Sequence, residues 1–316
     1  MFSGEVLYIN RIKGLIFGQA IGDALGLASE FMTEEEVRHF YPTGIRAYED
    51  IIEDRHRSLW KKGAWTDDTD MMLCVLDSIV EHKAINLTDI ATRFLHWKQT
   101  DGIGIGRHTL NVLSLGDYVD NPFKASELVW NMSRKQSAAN GAIMRTAILG
   151  YWNYKDWGAV KSNTEDVCKL THFDPRCIGS CIIITYIVHR HLTNQEILKS
   201  DILCIANEYD SRIIEYVELA YQNSIETLRL DEQGKIGYTL KTMSAALWAY
   251  NYSTDFYSGL RNIIEQGGDA DTNGAVTGAL LGLKFGLNSI PKHLIDNLIG
   301  KDVLINKINA FKAIKQ

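Results

Sequence analysis

The sequence predicts an all-α bundle, a single domain spanning residues 1–316. Three observations carry this. Apolar residues recur at three- and four-residue spacing in segment after segment, as buried faces of helices require. Alternating period-two runs are scarce, apart from short pieces near the N-terminus. The four prolines, Pro42, Pro122, Pro175 and Pro291, lie far apart and leave long stretches free of helix breakers.

The elements follow in order. The first helix carries a glycine at every fourth residue: Gly14, Gly18, Gly22 and Gly26. Residues Asp67 to His82 place Met71, Met72, Val75, Leu76 and Ile79 on one side. Leu87 to Lys98 buries Ile90, Phe94, Leu95 and Trp97, with Thr88 as the expected N-cap. Cys177 to Leu192 is apolar nearly all round and is expected at the centre. Asp210 to Thr227, Thr239 to Tyr250 and Asp255 to Gln266 are further helices. A last glycine row runs through Gly274, Gly278, Gly282 and Gly286. An i+4 row forms a ridge along one helix face. Each interior glycine costs roughly 1 kcal/mol relative to alanine. Two such rows therefore point to tightly packed core helices; a sharper reading, compatible with this, has the two ridges meet each other.

Composition excludes several classes. The 316 residues have 46% hydrophobic and 23% charged content, ordinary for a globular chain. The net charge is −6, and no basic stripe suits a nucleic-acid backbone. The longest apolar run, Ile178 to Val188, is about half of the ~20 residues that span a bilayer. Leu15 to Ala28 imitates a signal peptide's apolar region, but Gln19 and Asp23 interrupt it, so a core helix in a cytoplasmic protein is expected. The five cysteines, Cys74, Cys168, Cys177, Cys181 and Cys204, are odd in number and are expected reduced and buried.

Three acidic features lie beside helix ends. Trp65-Thr66-Asp67-Asp68-Thr69-Asp70 precedes one helix, and Gly267-Gly268-Asp269-Ala270-Asp271-Thr272-Asn273 precedes the last glycine row. Glu30 lies four residues beyond Gly26. Helix capping by Thr66, Asp67, Asp68, Asp271 or Thr272 is one reading, with about 1 kcal/mol at each end. The other is a site for a hard divalent cation, because clustered carboxylates repel unless cations or protons intervene. An EF-hand does not fit, since its twelfth position falls on Leu280.

At these residues the chain resembles the ADP-ribosylglycohydrolase family. Several blocks match in order. They are Gly14 through Gly26 to Glu30, Trp65 to Thr69, the Gly102 to Gly106 loop, Ser137 through Asn140-Gly141-Ala142 to Arg145, Thr171-His172 with Pro175, and Gly267 to Asn273. The resemblance implies a compact orthogonal multi-helix bundle and two Mg²⁺ or Mn²⁺ ions. It implies Thr66, Asp67, Asp68, Asp269, Asp271 and Thr272 as metal ligands, with Glu30 and the four aspartates as catalytic residues. It further implies Gly104, Gly106, Ser137, Asn140, Gly141, Ala142 and His172 as substrate-binding residues. The middle blocks also have plainer readings: the glycine loop as a connector, His172 as a core histidine, Arg145 as the neutraliser of a buried acid. On the glycine loop Asp101 is the only carboxylate, and no residue is assigned as proton donor to the leaving group.

The implied reaction hydrolyses the glycosidic bond between ADP-ribose and an acceptor, with an oxocarbenium-like ribose C1. An ADP-ribosylated protein is the expected partner and ADP-ribose the product. Arginine is the favoured acceptor; serine- or nucleobase-linked ADP-ribose and a non-catalytic homologue are alternatives. Nucleic acid enters only as an ADP-ribosylated substrate, and no membrane is involved.

Overall fold

The computed structural model describes residues 2–314, with side chains from residue 8 onward. Sixteen α-helices follow in order: α1 Phe2–Gly26, α2 Glu34–Phe40, α3 Asp67–His82, α4 Leu87–Thr100, α5 Arg107–Leu113, α6 Pro122–Met132, α7 Ile143–Thr146, α8 Trp157–Lys169, α9 Pro175–Leu192, α10 Lys199–Tyr209, α11 Arg212–Ala220, α12 Thr239–Tyr252, α13 Phe256–Ile264, α14 Ala270–Phe285, α15 Lys292–Asp296 and α16 Lys301–Ala313. Among the described residues there is no strand; one isolated antiparallel bridge joins Ala139 to Tyr238. The fold is all-α, as expected, and residues 2–26 form α1.

The two glycine ridges meet. α1 and α14 lie antiparallel, with Gly14 against Gly282, Gly18 against Gly278, Gly22 against Gly274 and Gly26 against Ala270. A Cβ on Gly14, Gly18 or Gly22 would stand 2.0–2.1 Å from a carbonyl oxygen of the partner. No side chain fits there, which explains why residues with poor helix propensity occupy both rows. Gly286 closes the second row outside the helix, as the C-cap of α14 with φ +82°.

This pair lies at the centre. α14 is buried along its length from Ala270 to Leu283, and α12, α13 and α9 pack on it. α9 is buried nearly all round, as its apolar sequence requires. α3 packs against α4, α7 and α16. One apolar cluster of buried side chains runs from Ile12 to Ile314.

Local chemistry corrects two boundaries. Asn86, not Thr88, caps α4, accepting from Asp89 N–H. The expected helix from Asp210 to Thr227 breaks after Ala220 and resumes as a 3-10 turn at Ile225–Leu228. All five thiols are free, and Cys168, Cys177 and Cys181 are buried, but Cys74 is half-buried and Cys204 exposed. No helix among the described residues is long and apolar enough to cross a membrane.

Candidate active site

The acidic segments converge because α1 holds both of them. Gln19 and Asp23, the polar interruptions of its apolar stretch, reach sideways to α3 and α7. Gln19 Nε2 donates to the carbonyls of Met144 (2.8 Å) and Asp68 (3.3 Å). Asp23 Oδ1 accepts from the N–H (2.9 Å) and hydroxyl (2.8 Å) of Thr66, and Oδ2 from the N–H (3.0 Å) and hydroxyl (2.6 Å) of Thr69. A carboxylate of α1 thereby caps α3 from outside.

Capping explains little of the acidic motifs. Thr66 at α3 and Asp269 at α14 occupy the N-cap positions without a side-chain cap bond. Thr33, Asn86, Asp156, Asp174 and Asp255 do cap their own helices. Asp271 does take one first-turn N–H, its Oδ1 accepting from Thr272 (2.8 Å), so capping accounts for one of these acids and not for the cluster.

The double glycine before Asp269 has a steric cause. Gly267 and Gly268 have φ of +70° and +71°, and a Cβ on them would strike Met32 O at 2.2 Å and Leu230 O at 2.1 Å. Their backbone pairs with the turn after α1: Phe31 N donates to Gly268 O (2.6 Å) and Gly268 N to Met32 O (2.8 Å). This pairing sets Glu30 beside the start of α14.

Glu30, Asp269 and Asp271 accordingly gather, with one carboxylate oxygen from each lying within 4.8 Å of the others. Asp68 Oδ2 lies 3.3 Å from Thr272 Oγ1 and 3.2 Å from Thr66 Oγ1, joining the two motifs. Asn140 Nδ2 donates to Asp269 Oδ2 (2.5 Å) and to Thr242 Oγ1 (3.0 Å). No lysine or arginine forms an ion pair with these acids among the described residues; His56 Nε2 lies 2.6 Å from Glu30 Oε2.

Burial pushes Asp23 up to about 7 and Asp269 up to about 6. Burial first, then the neighbouring carboxylates, carries Asp67, Asp68 and Asp271 well above the ordinary carboxylate range. Asp68 Oδ1 is buried with no hydrogen-bond partner. An orphaned carboxylate oxygen amid like charges is what a hard divalent cation would satisfy, and the all-oxygen donor set fits Mg²⁺ or Mn²⁺.

The acids form one end of a cleft of about 1050 Å³, near the upper limit of typical ligand pockets. Glu30, Asp67, Asp269, Asp271 and Thr272 line it, as do Gly104, Gly106, Ser137, Asn140 and Gly141. Thr66 and Asp68 are buried behind this surface. Ala142 and His172 are also buried and do not line the cleft. A Cβ on Gly141 would come within 3.0 Å of the His172 ring, so His172 supports that loop from behind. Gly104 (φ +91°) leaves only 2.6 Å between a would-be Cβ and Asp67 Oδ1. Asp101 lines a neighbouring cavity with Trp60, Trp65 and Trp97. Arg145 neutralises no acid: it is fully buried and donates to Gly141 O (2.9 Å), Thr171 Oγ1 (2.7 Å) and Val167 O (3.2 Å).

Residues 5–314 match the ADP-ribosylglycohydrolase family. The chain belongs to that family. It is 24% identical over 305 residues to an ADP-ribosylarginine hydrolase of Serratia proteamaculans, covering 94% of this chain and 78% of that one. It is 27% identical over 305 residues to the ADP-ribosyl-[dinitrogen reductase] glycohydrolase of Rhodospirillum rubrum, covering 92% and 90%. A solved structure described as an ADP-ribosylglycohydrolase-related protein complex superposes with a TM-score of 0.78 at 25% identity, covering 98% of this chain and 99% of that one.

In this family member, three polar residues at the site escaped the sequence reading. Asp23 was marked only by a charge inside an apolar glycine helix. His56 carries no motif, and its bond to Glu30 raises its pKa. His108 follows the glycine loop. Its Nε2 lies 2.9 Å from Thr171 O, which can only accept, so Nε2 bears the proton and Nδ1 accepts from the Ser137 hydroxyl (2.8 Å).

Proposed function

We propose that the chain hydrolyses the glycosidic bond joining ADP-ribose to a modified arginine and releases ADP-ribose, using two divalent cations, Mg²⁺ or Mn²⁺. The observation that carries this reading is the set of buried and half-buried carboxylates, with no lysine or arginine partner among the described residues, at one end of a cleft large enough for ADP-ribose. The names of two relatives, an ADP-ribosylarginine hydrolase and the ADP-ribosyl-[dinitrogen reductase] glycohydrolase, support the substrate class.

Asp67, Asp68, Asp269, Asp271, Thr66 and Thr272 would hold the cations. When bound, they supply Lewis-acid stabilisation to the ribose oxygens and the attacking water. Asn140 fixes Asp269 Oδ2 by its amide. His56 occupies Glu30 Oε2, which leaves Oε1 to take the proton of the water. The carboxylates also favour the positive charge that develops at ribose C1. Gly104 and Gly106 admit the diphosphate close to the backbone, and Ser137 and Asn140 present polar atoms to the nucleotide half.

The test incubates the chain with ADP-ribosylated arginine peptide, serine peptide and DNA, each with Mg²⁺, with Mn²⁺ and with chelator. Free ADP-ribose is expected from the arginine substrate, and only with metal. Release of phosphate, metal-independent turnover, or cleavage confined to the serine or DNA conjugate would overturn the proposal.

A further inference from the structure

Seven non-glycine residues have positive φ among the described residues: Phe31, Lys83, Arg134, Lys135, Asn153, Asn194 and Arg229. Six are polar. Phe31 (φ +63°) is the exception, and it is also 55% exposed. A bulky side chain in the left-handed region is strained, and glycine would adopt it freely. An exposed apolar ring gains little from burial in return. The turn itself is held by its backbone pairing with Gly268, but that pairing does not require an exposed aromatic ring, and the ring stands on the cleft wall next to Glu30. Strain held at such a place is the mark of a residue kept for function.

The surroundings say what the ring would meet. The Phe31 ring lies 5.1 Å from that of His56, which meets Trp60 edge-on at 5.5 Å. Trp60 in turn backs the glycine loop at Gly104. A ladder of three rings therefore stands beside Glu30 and extends to the glycine loop. Phe31 N–H, tied to Gly268 O, fixes the exposed ring in position. An aromatic face and a group of carboxylates both attract cations. A guanidinium is planar, weakly hydrated and suited to stacking, so it matches this pair of features better than a neutral hydroxyl does.

We propose that Phe31 is the acceptor platform of the cleft, its ring stacking on the guanidinium of the ADP-ribosylated arginine while ADP-ribose fills the rest. This rests on the function proposed above and assigns the residue that selects the acceptor.

The full-length chain and its Phe31→Ala, Phe31→Tyr and Phe31→Gly variants are compared with Mg²⁺ present. Phe31→Ala and Phe31→Gly should lower kcat/KM on an ADP-ribosylarginine peptide about tenfold. Phe31→Tyr should restore it, and calorimetric affinity for ADP-ribose should not change. Phe31→Gly should melt no lower than the parent, because it relieves the left-handed strain. A merely structural role would not combine lost turnover with retained stability. Agmatine, a guanidinium ligand whose second charge, a primary ammonium, is controlled for with 1,4-diaminobutane, gives a readout free of turnover. It should bind the ADP-ribose-saturated parent and bind Phe31→Ala at least about threefold more weakly. Equal agmatine binding, or unchanged kcat/KM in Phe31→Ala, overturns the platform. If no substrate releases ADP-ribose while the agmatine difference persists, the proposed hydrolysis fails and the guanidinium site stands.

Discussion

At the residue scale, Asp269 and Gly106 give the sharpest tests of the site. Asp269 shares an oxygen cluster with Glu30 and Asp271 and is steadied by Asn140. Asp269→Asn keeps the shape and removes the charge. Metal occupancy should fall and turnover should drop about 100-fold or more, with the helical circular dichroism unchanged. Full turnover with bound metal would remove Asp269 from the ligand set. Gly106 lines the cleft with nothing within 4 Å of a would-be Cβ, and its φ of −64° suits any residue. Gly106→Val should therefore fold normally and intrude on the ligand, weakening ADP-ribose binding in calorimetry about tenfold while metal binding persists. Unchanged affinity would clear the loop of contact. The acidic residues were legible because Asp-Asp-Thr-Asp and Gly-Gly-Asp-x-Asp-Thr are too rich in carboxylate for caps. Asp23, His56 and Phe31 were not, because a single residue acquires meaning only from what the fold brings beside it.

At the element scale, the glycine rows of α1 and α14 invert the usual effect of adding a methyl group. On an exposed helix Gly→Ala stabilises by roughly 0.4–1 kcal/mol. Here the added Cβ of Gly22 or Gly278 would lie 2.0 Å from a carbonyl oxygen across the interface. Gly22→Ala and Gly278→Ala should each destabilise by about 1–3 kcal/mol or more. Both should also lower turnover, because Glu30 and Asp271 lie at the ends of these helices. Thermal melts with and without metal check this; an unchanged or raised melting temperature would refute the packing account. The ridges were readable from i+4 spacing alone, and so was the central place of α9 from its unbroken apolar surface. The break after Ala220 was not readable, since Tyr221 to Ser224 carries no proline or glycine to announce it. The N-cap of α4 shifted from Thr88 to Asn86 because either side chain can serve, and the chain entry decides.

At the scale of the whole molecule, the proposed metal site is expected to couple stability to pH and to divalent cations. An aspartate whose folded-state pKa is raised above its unfolded value, near 3.9, contributes stability only while protonated. Asp269 at about 6 and Asp23 at about 7 therefore lose that contribution as pH rises through those values. Cations compete with the same protons. The rise in melting temperature on adding Mg²⁺ or Mn²⁺ should be larger at about pH 8 than at about pH 5. Scanning fluorimetry at the two pH values checks this, and a larger rise at the lower pH would contradict it. The pairing of α1 with α14 has a kinetic consequence as well. The glycine face of α1 has no partner until α14, which begins at Ala270, has left the ribosome. These long-range contacts must close before Glu30 can meet Asp269 and Asp271. Synthesis should therefore pass through an intermediate with a bare backbone groove along α1, a species of high contact order and slow closure that depends on chaperones more than on local helix formation.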